Sequence, residues 1–72
     1  MIKCIQSEKT YDSEDTRLCV LASTEAPTGK TTGTGIDALP DSARIADGSV
    51  CIDAANDKKY LFLNGTWYEI NK

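Results

Sequence analysis

The sequence predicts a small all-β, or mainly β, protein. The expected form is an antiparallel sheet with an N-terminal strand pair, a long extended linker arm and a C-terminal three-stranded meander. Three observations carry this. Asn64-Gly65 separates two apolar and aromatic runs, and both central residues of a type I′ hairpin turn need positive φ, which Asn and Gly tolerate best. The runs "MIKCIQ", "RLCVLAS" and "KKYLFL" are short, rich in apolar and β-branched residues, and bounded by polar turn formers. Between them, residues 23–48 are rich in Ser, Thr, Gly, Ala and Asp and hold both prolines, the composition of a linker.

In chain order, residues 1–6 read as a first strand. "SEKTYDSEDT" is polar and acidic and reads as a loop, or as one helical turn capped by Ser13. Residues 17–22 read as a second strand. Their nearly continuous apolar character suggests burial on both faces, and periodicity alone leaves a short helix open. Ile36, Leu39 and Ile45 are the apolar notes of the arm. They can pin it to a core or to a neighbouring subunit. Pro40 biases Leu39 toward an extended backbone. Residues 49–53, 59–63 and 66–70 are the meander strands, with a turn at "AAND" and a hairpin at Asn64-Gly65. Side chains alternate across a strand, so both faces of the meander carry large apolar groups. One face can cover the domain's own core. The other must meet the N-terminal strands, the arm or another chain.

Length sets the energetic problem. The 72 residues make one domain, divided into strands (1–22), arm (23–48) and meander (49–72). A chain this short buries only about 60% of its unfolded surface, and its core contributes about 3–5 kcal/mol. Disulfides, a metal or companion subunits usually make up the rest. The three thiols, Cys4, Cys19 and Cys51, are odd in number, have no Cys-x-x-Cys spacing and sit in apolar runs. They read as reduced core residues, with one bridge and a spare thiol as the alternative. A chain with no histidine and three thiols is a poor zinc ligand set. Association with other subunits is the remaining support.

Charge and motif narrow the function classes. Eight basic and 11 acidic residues give a net charge of −3, without the cationic stripe that nucleic acid requires. The N-terminus lacks the pattern of a secretory signal, and no apolar run reaches the roughly 20 residues of a membrane span. "PTGKTTGTG" ends like a P-loop at Gly29-Lys30-Thr31, but Thr24 stands where the leading glycine belongs. The glycines and Pro40 that follow are poor helix formers, so the stretch reads as a flexible tether. Without histidine no Ser-His or Cys-His pair can form. Asp53, Asp57 and Glu69 are candidates for paired carboxylates, but turn and edge carboxylates are normally solvated caps. "DSEDT" at 12–16 lacks the glycine and glutamate of a calcium loop. The expectation is no enzyme and no cofactor.

Four aromatics, Tyr60, Phe62, Trp67 and Tyr68, lie within one short stretch. Phe62 and Trp67 read as core, because other large apolar residues are scarce. Tyr60 and Tyr68 fit either core or interface. An exposed Trp67 beside a tyrosine would instead suit a small carbohydrate-binding module.

The stretch "GSVCIDAANDKKYLFLNGTWYEI" resembles a β-meander of small structural proteins of tailed bacteriophages. The residues that carry the resemblance are Gly48, Ser49, Asp53, Lys58, Tyr60, Asn64, Gly65 and Trp67. The Thr/Gly/Pro-rich lead-in from residue 23 is also similar, whereas residues 1–22 add nothing to it. The resemblance implies a virion protein assembled in the host bacterial cytoplasm, with no catalytic residues. It would act as a capsid decoration or head–tail junction subunit, or alternatively as a tail or fibre adaptor. Its partners would be capsid or neck and tail proteins, in a homo-oligomer or in many copies. The contact residues expected on this reading are Ile36, Leu39 and Ile45 in the arm and Tyr60, Trp67 and Tyr68 in the meander.

Overall fold

The computed structural model describes residues 2–11, 13–28 and 31–70, with the Ser13 side chain left out. Seven strands form one sheet: β1 (Ile2–Thr10), β2 (Ser13–Ser23), β3 (Ile36–Asp37), β4 (Arg44–Ile45), β5 (Val50–Asp53), β6 (Lys58–Leu63) and β7 (Thr66–Ile70). Across the sheet the order is β3-β1-β2-β5-β6-β7, with β4 also on β2. No helix occurs among the described residues. The fold is mainly β, as the sequence predicts, but the sheet is mixed. β1–β2, β5–β6 and β6–β7 are antiparallel. β3 runs parallel to β1, and β4 and β5 run parallel to β2.

The N-terminal hairpin is longer than its apolar runs. Polar residues 7–10 and 13–16 lie in the strands instead of forming a loop or helical turn: Ser7, Glu8 and Lys9 pair with Cys19, Leu18 and Arg17, and after a second register shift Thr10 pairs with Ser13, while Thr16 pairs with Arg44 of β4. An antiparallel pair can leave one face in water and so accommodate polar side chains there. Between Cys4 and Gln6 the register slips, because β1 uses two residues where β2 advances by one. This bulge places Ile5 outward, and the side chain is 58% exposed. At the other end of the chain the type I′ expectation holds: Asn64 and Gly65 have φ of 52° and 82°.

The arm does not extend away from the domain. It folds back over one face of the chain's own sheet. Ser23 closes β2 by accepting the Glu25 N–H at 3.0 Å and donating to the Glu25 carbonyl at 2.7 Å. Thr32 then bridges Arg44, the Ile45 N–H reaches the Thr31 carbonyl at 3.0 Å, and the Ala43 N–H reaches the Pro40 carbonyl at 3.0 Å. Between these ties the arm inserts Ile36, Leu39, Ala43 and Ile45 against Cys19, Leu21, Cys51 and Phe62. The parallel pairing of β2 with β5 has the same origin. Two parallel neighbours need a crossover of a dozen or more residues, and the arm supplies it.

The two sheet faces therefore differ. The covered face holds Leu21 and Cys51 at 0% exposure and Phe62 at 2%. Ile2, Cys4, Tyr60 and Trp67 pack partly buried around that core. On the opposite, open face the register lines up Val20, Val50, Leu61 and Tyr68 in one row and Ala22, Ile52, Lys59 and Ile70 in the next. Leu18 and Leu63 extend this face on β2 and β6, at 44% and 41% exposure.

The arm's tight turn gives a direct test. Gly33 donates its N–H to the Ala43 carbonyl, and a Cβ at this position would run into the Pro40 carbonyl oxygen. Gly33→Ala should destabilise the fold by about 1–3 kcal/mol, as overpacking does. Chemical denaturation of the two proteins measures this, and equal midpoints would mean the arm is not packed as described.

Candidate interaction surface

Gly48, Ser49, Asp53, Asn64 and Gly65 stand at the corners of the meander, whereas Lys58, Tyr60 and Trp67 lie within its strands. β4 and β5 lie end to end along β2, and the gap between them falls at Gly48-Ser49. There the Ser49 hydroxyl, at 0% exposure, accepts the Cys19 N–H at 3.0 Å. A buried N–H left without a β-ladder partner is thus satisfied by a side chain. Gly48 donates to the Phe62 carbonyl at 2.8 Å, and the Phe62 N–H returns to the Ser49 carbonyl at 2.9 Å. One dipeptide joins β2, β5 and β6.

Asp53 closes the other end of β5. Its carboxylate accepts the Asn56 backbone N–H at 3.2 Å and the Asn56 side-chain amide at 2.9 Å. It caps the turn, as its position suggests, but at 1% exposure it is buried rather than solvated. Asp57, in the same turn, has φ of 57° and is exposed. Glu69 faces Lys58 at 3.7 Å, with both side chains nearly half exposed, a surface pair that contributes little. The three acidic residues considered as a catalytic set are thus placed in three structural settings. The Asp47 carboxylate accepts the Asn64 N–H at 2.8 Å and ties the β6–β7 hairpin to the loop before β5.

Of the six expected contact residues, the three in the arm face inward. Ile36, Leu39 and Ile45 are 5%, 8% and 5% exposed. Of the two destinations open to them, core or neighbour, they pack into the core of the chain's own sheet. Trp67 is half-buried and tilted on Phe62, with ring centroids 4.9 Å apart and planes at 56°. Tyr60 is half-buried beside it on the covered face. Tyr68 alone of the six stands open, at 53% exposure. Sequence reasoning missed Leu18, Val20, Ile52, Leu61, Leu63 and Ile70 as a surface set. The alternation within each strand held the signal, but assembling the face needs the β2–β5 parallel pairing.

The remaining motifs bear on chemistry less directly. Gly29 and Lys30, the core of the P-loop-like stretch, lie outside the described residues, as does Asp12 of the acidic run. Thr31 and Thr32, where a P-loop would open a helix, instead bond to the Arg44–Ile45 segment. Among the described residues no group of three His, Cys, Asp or Glu side chains could hold a metal ion. An open cleft of about 550 Å³ lies between the hairpin, the arm and the β6–β7 turn, with Thr10, Thr16, Arg44, Asp47 and Asn64 on its wall.

All three cysteines are free thiols. Burial pushes Cys19 up from 9.0 to about 11, with the neighbouring Cys4 thiol adding to the rise through its charge and a hydrogen bond, and Arg17 opposing it. Burial likewise pushes Cys51 up to about 11, helped by the Asp53 charge. Such thiols are poor nucleophiles at neutral pH.

In comparisons with protein-family models, curated proteins and solved structures, nothing matches this chain.

Two measurements test the corner and the thiols. Ser49→Ala leaves the Cys19 N–H buried without an acceptor and should cost about 1–3 kcal/mol; an unchanged denaturation midpoint would remove Ser49 from this role. Both buried thiols have folded pKa values above the unfolded value, so the native state holds its protons longer. Their contribution to stability is intact below pH 9.0 and is lost as pH rises toward about 11. Denaturation across that window should show stability falling, and the fall should be smaller in Cys19→Ala/Cys51→Ala.

Proposed function

We propose that this chain is a non-enzymatic structural protein of a tailed-phage virion, a small decoration or stabilising subunit on the capsid exterior or at the head–tail junction. One observation carries the reading. The sheet is apolar on both faces, and the chain has one arm, which covers only one of them. A protein built this way gains stability by mass action when a companion binds the native state. The role is one of assembly.

The residues of the phage-like pattern support the same reading by what they do. Gly48 and Ser49 join three strands. Asp53 caps a turn, Asn64-Gly65 forms a hairpin, and Trp67 packs on Phe62. A module in which six of the eight distinctive residues maintain its shape suits a protein that is used for its surface. Trp67 as a stacking platform for sugars finds less support, because its ring lies against Phe62 on the covered side.

Quantitative mass spectrometry of tailed-phage particles purified from cells whose own genome encodes this chain tests the proposal. Hundreds of copies per particle are expected for a shell subunit. A dozen or fewer would move it to the neck or tail, as an adaptor. Its absence from particles while it is abundant in the lysate would overturn the virion reading.

A further inference from the structure

We infer that the open face of the sheet is a self-association surface whose occupant is a second copy of this chain, packed sheet on sheet about a two-fold axis perpendicular to the strands. Three observations lead there.

The first is area. The apolar side chains of β2, β5, β6 and β7 form one contiguous surface, with Leu18, Ile52, Leu63, Tyr68 and Ile70 between 36% and 53% exposed. This is a patch on the order of 500 Å², near the upper end of what a monomer normally leaves bare. Two such faces in contact would remove roughly 1,000 Å² from water, where specific interfaces begin. Facing sheets pack about 10 Å apart, which apolar side chains of this size fill.

The second is charge. On β1, Gln6 pairs with Val20, Lys3 with Ala22 and Glu8 with Leu18. All three therefore share the open face with their partners, near its β1–β3 margin, where Asp37 of β3 stands beside Lys3 in the same row. Lys3 and Glu8 stand one row to either side of the Gln6–Val20–Val50–Leu61–Tyr68 row. A two-fold axis along that central row exchanges the flanking rows. It sets Lys3 against Glu8 of the partner subunit and Glu8 against Lys3 of the partner subunit, two opposite-charge contacts from one symmetry operation. An axis parallel to the strands would instead bring Lys3 over the β6–β7 margin, where Lys59 stands. Like charges would then meet. Aligned sheets rotate by about 30°, an offset that the long Lys and Glu side chains can span.

The third is the place of Lys59, the charge among the apolar residues of β6. It occupies an end row, opposite Ile52 and Ile70. From there a lysine stem can lie along apolar surface while the ammonium reaches water beyond the strand ends. Burial of the face does not require burial of that charge.

This inference deepens the assembly reading but does not need a virion. Sedimentation equilibrium of the full chain in low-salt buffer, with charge-swapped variants, tests it. Wild type should approach twice the chain mass as concentration rises. Glu8→Lys and Lys3→Glu should each weaken the dimer roughly tenfold at low salt, since each creates two like-charge contacts at the rim. The double variant Lys3→Glu/Glu8→Lys should restore it to near the wild-type value. Ile52→Glu should give a monomer whose far-UV circular dichroism still reports the sheet. A wild type that stays monomeric at its highest soluble concentration would overturn the inference. So would a dimer indifferent to Ile52→Glu, or single charge variants that the double variant does not rescue. Particle copy number answers separately for the virion.

Discussion

The structure depends on a shortage of cover. Its strands offer apolar side chains to both sides, and one arm with a handful of apolar residues must serve as the second layer. Sheets of this kind are stable when both faces are buried. The arm places Ile36, Leu39, Ala43 and Ile45 over β2, β5 and β6, and nothing comparable in the described residues lies on the far side. The arm's turns, the parallel β2–β5 pairing and the exposed row through Tyr68 are all consequences of that allocation. The buried Ser49 hydroxyl belongs to it too, since the crossover leaves a break between β4 and β5 that a side chain must bridge.

How much of this was legible in the sequence follows from how local each cause is. The meander was readable almost to the residue: 66–70 is β7, and 49–53 and 59–63 differ from β5 and β6 by one residue each. Asn64-Gly65 fixes a turn type, and the turn type fixes register. The hairpin length was not readable, because "SEKT" and "SEDT" have no apolar periodicity to mark them as strands. The destination of the arm was also not readable. Ile36, Leu39 and Ile45 are apolar whether they meet their own sheet or another molecule. The decision comes from tertiary geometry, including the close approach of Gly33 to Pro40.

The same distinction explains the candidate surface. A reading strand by strand finds large side chains on both faces of the meander but cannot say which face stays bare. The β2–β5 register decides it by joining Leu21 to Cys51 on one side and Val20 to Val50 on the other. The arm then covers the first pair. Tyr68 emerges on the open side and Trp67 on the covered side because adjacent strand residues point opposite ways. Which apolar face stays open is therefore set by which one the crossover covers.

Methyl NMR with a soluble paramagnetic agent tests this allocation most directly. In dilute solution the methyl groups of Leu18, Ile52, Leu63 and Ile70 should relax strongly, while those of Ile36, Leu39 and Ile45 should be shielded. Equal relaxation of the two sets, or strong relaxation of the arm methyls with a protected Ile52, would contradict the account, because the arm would then not be the layer that covers the sheet.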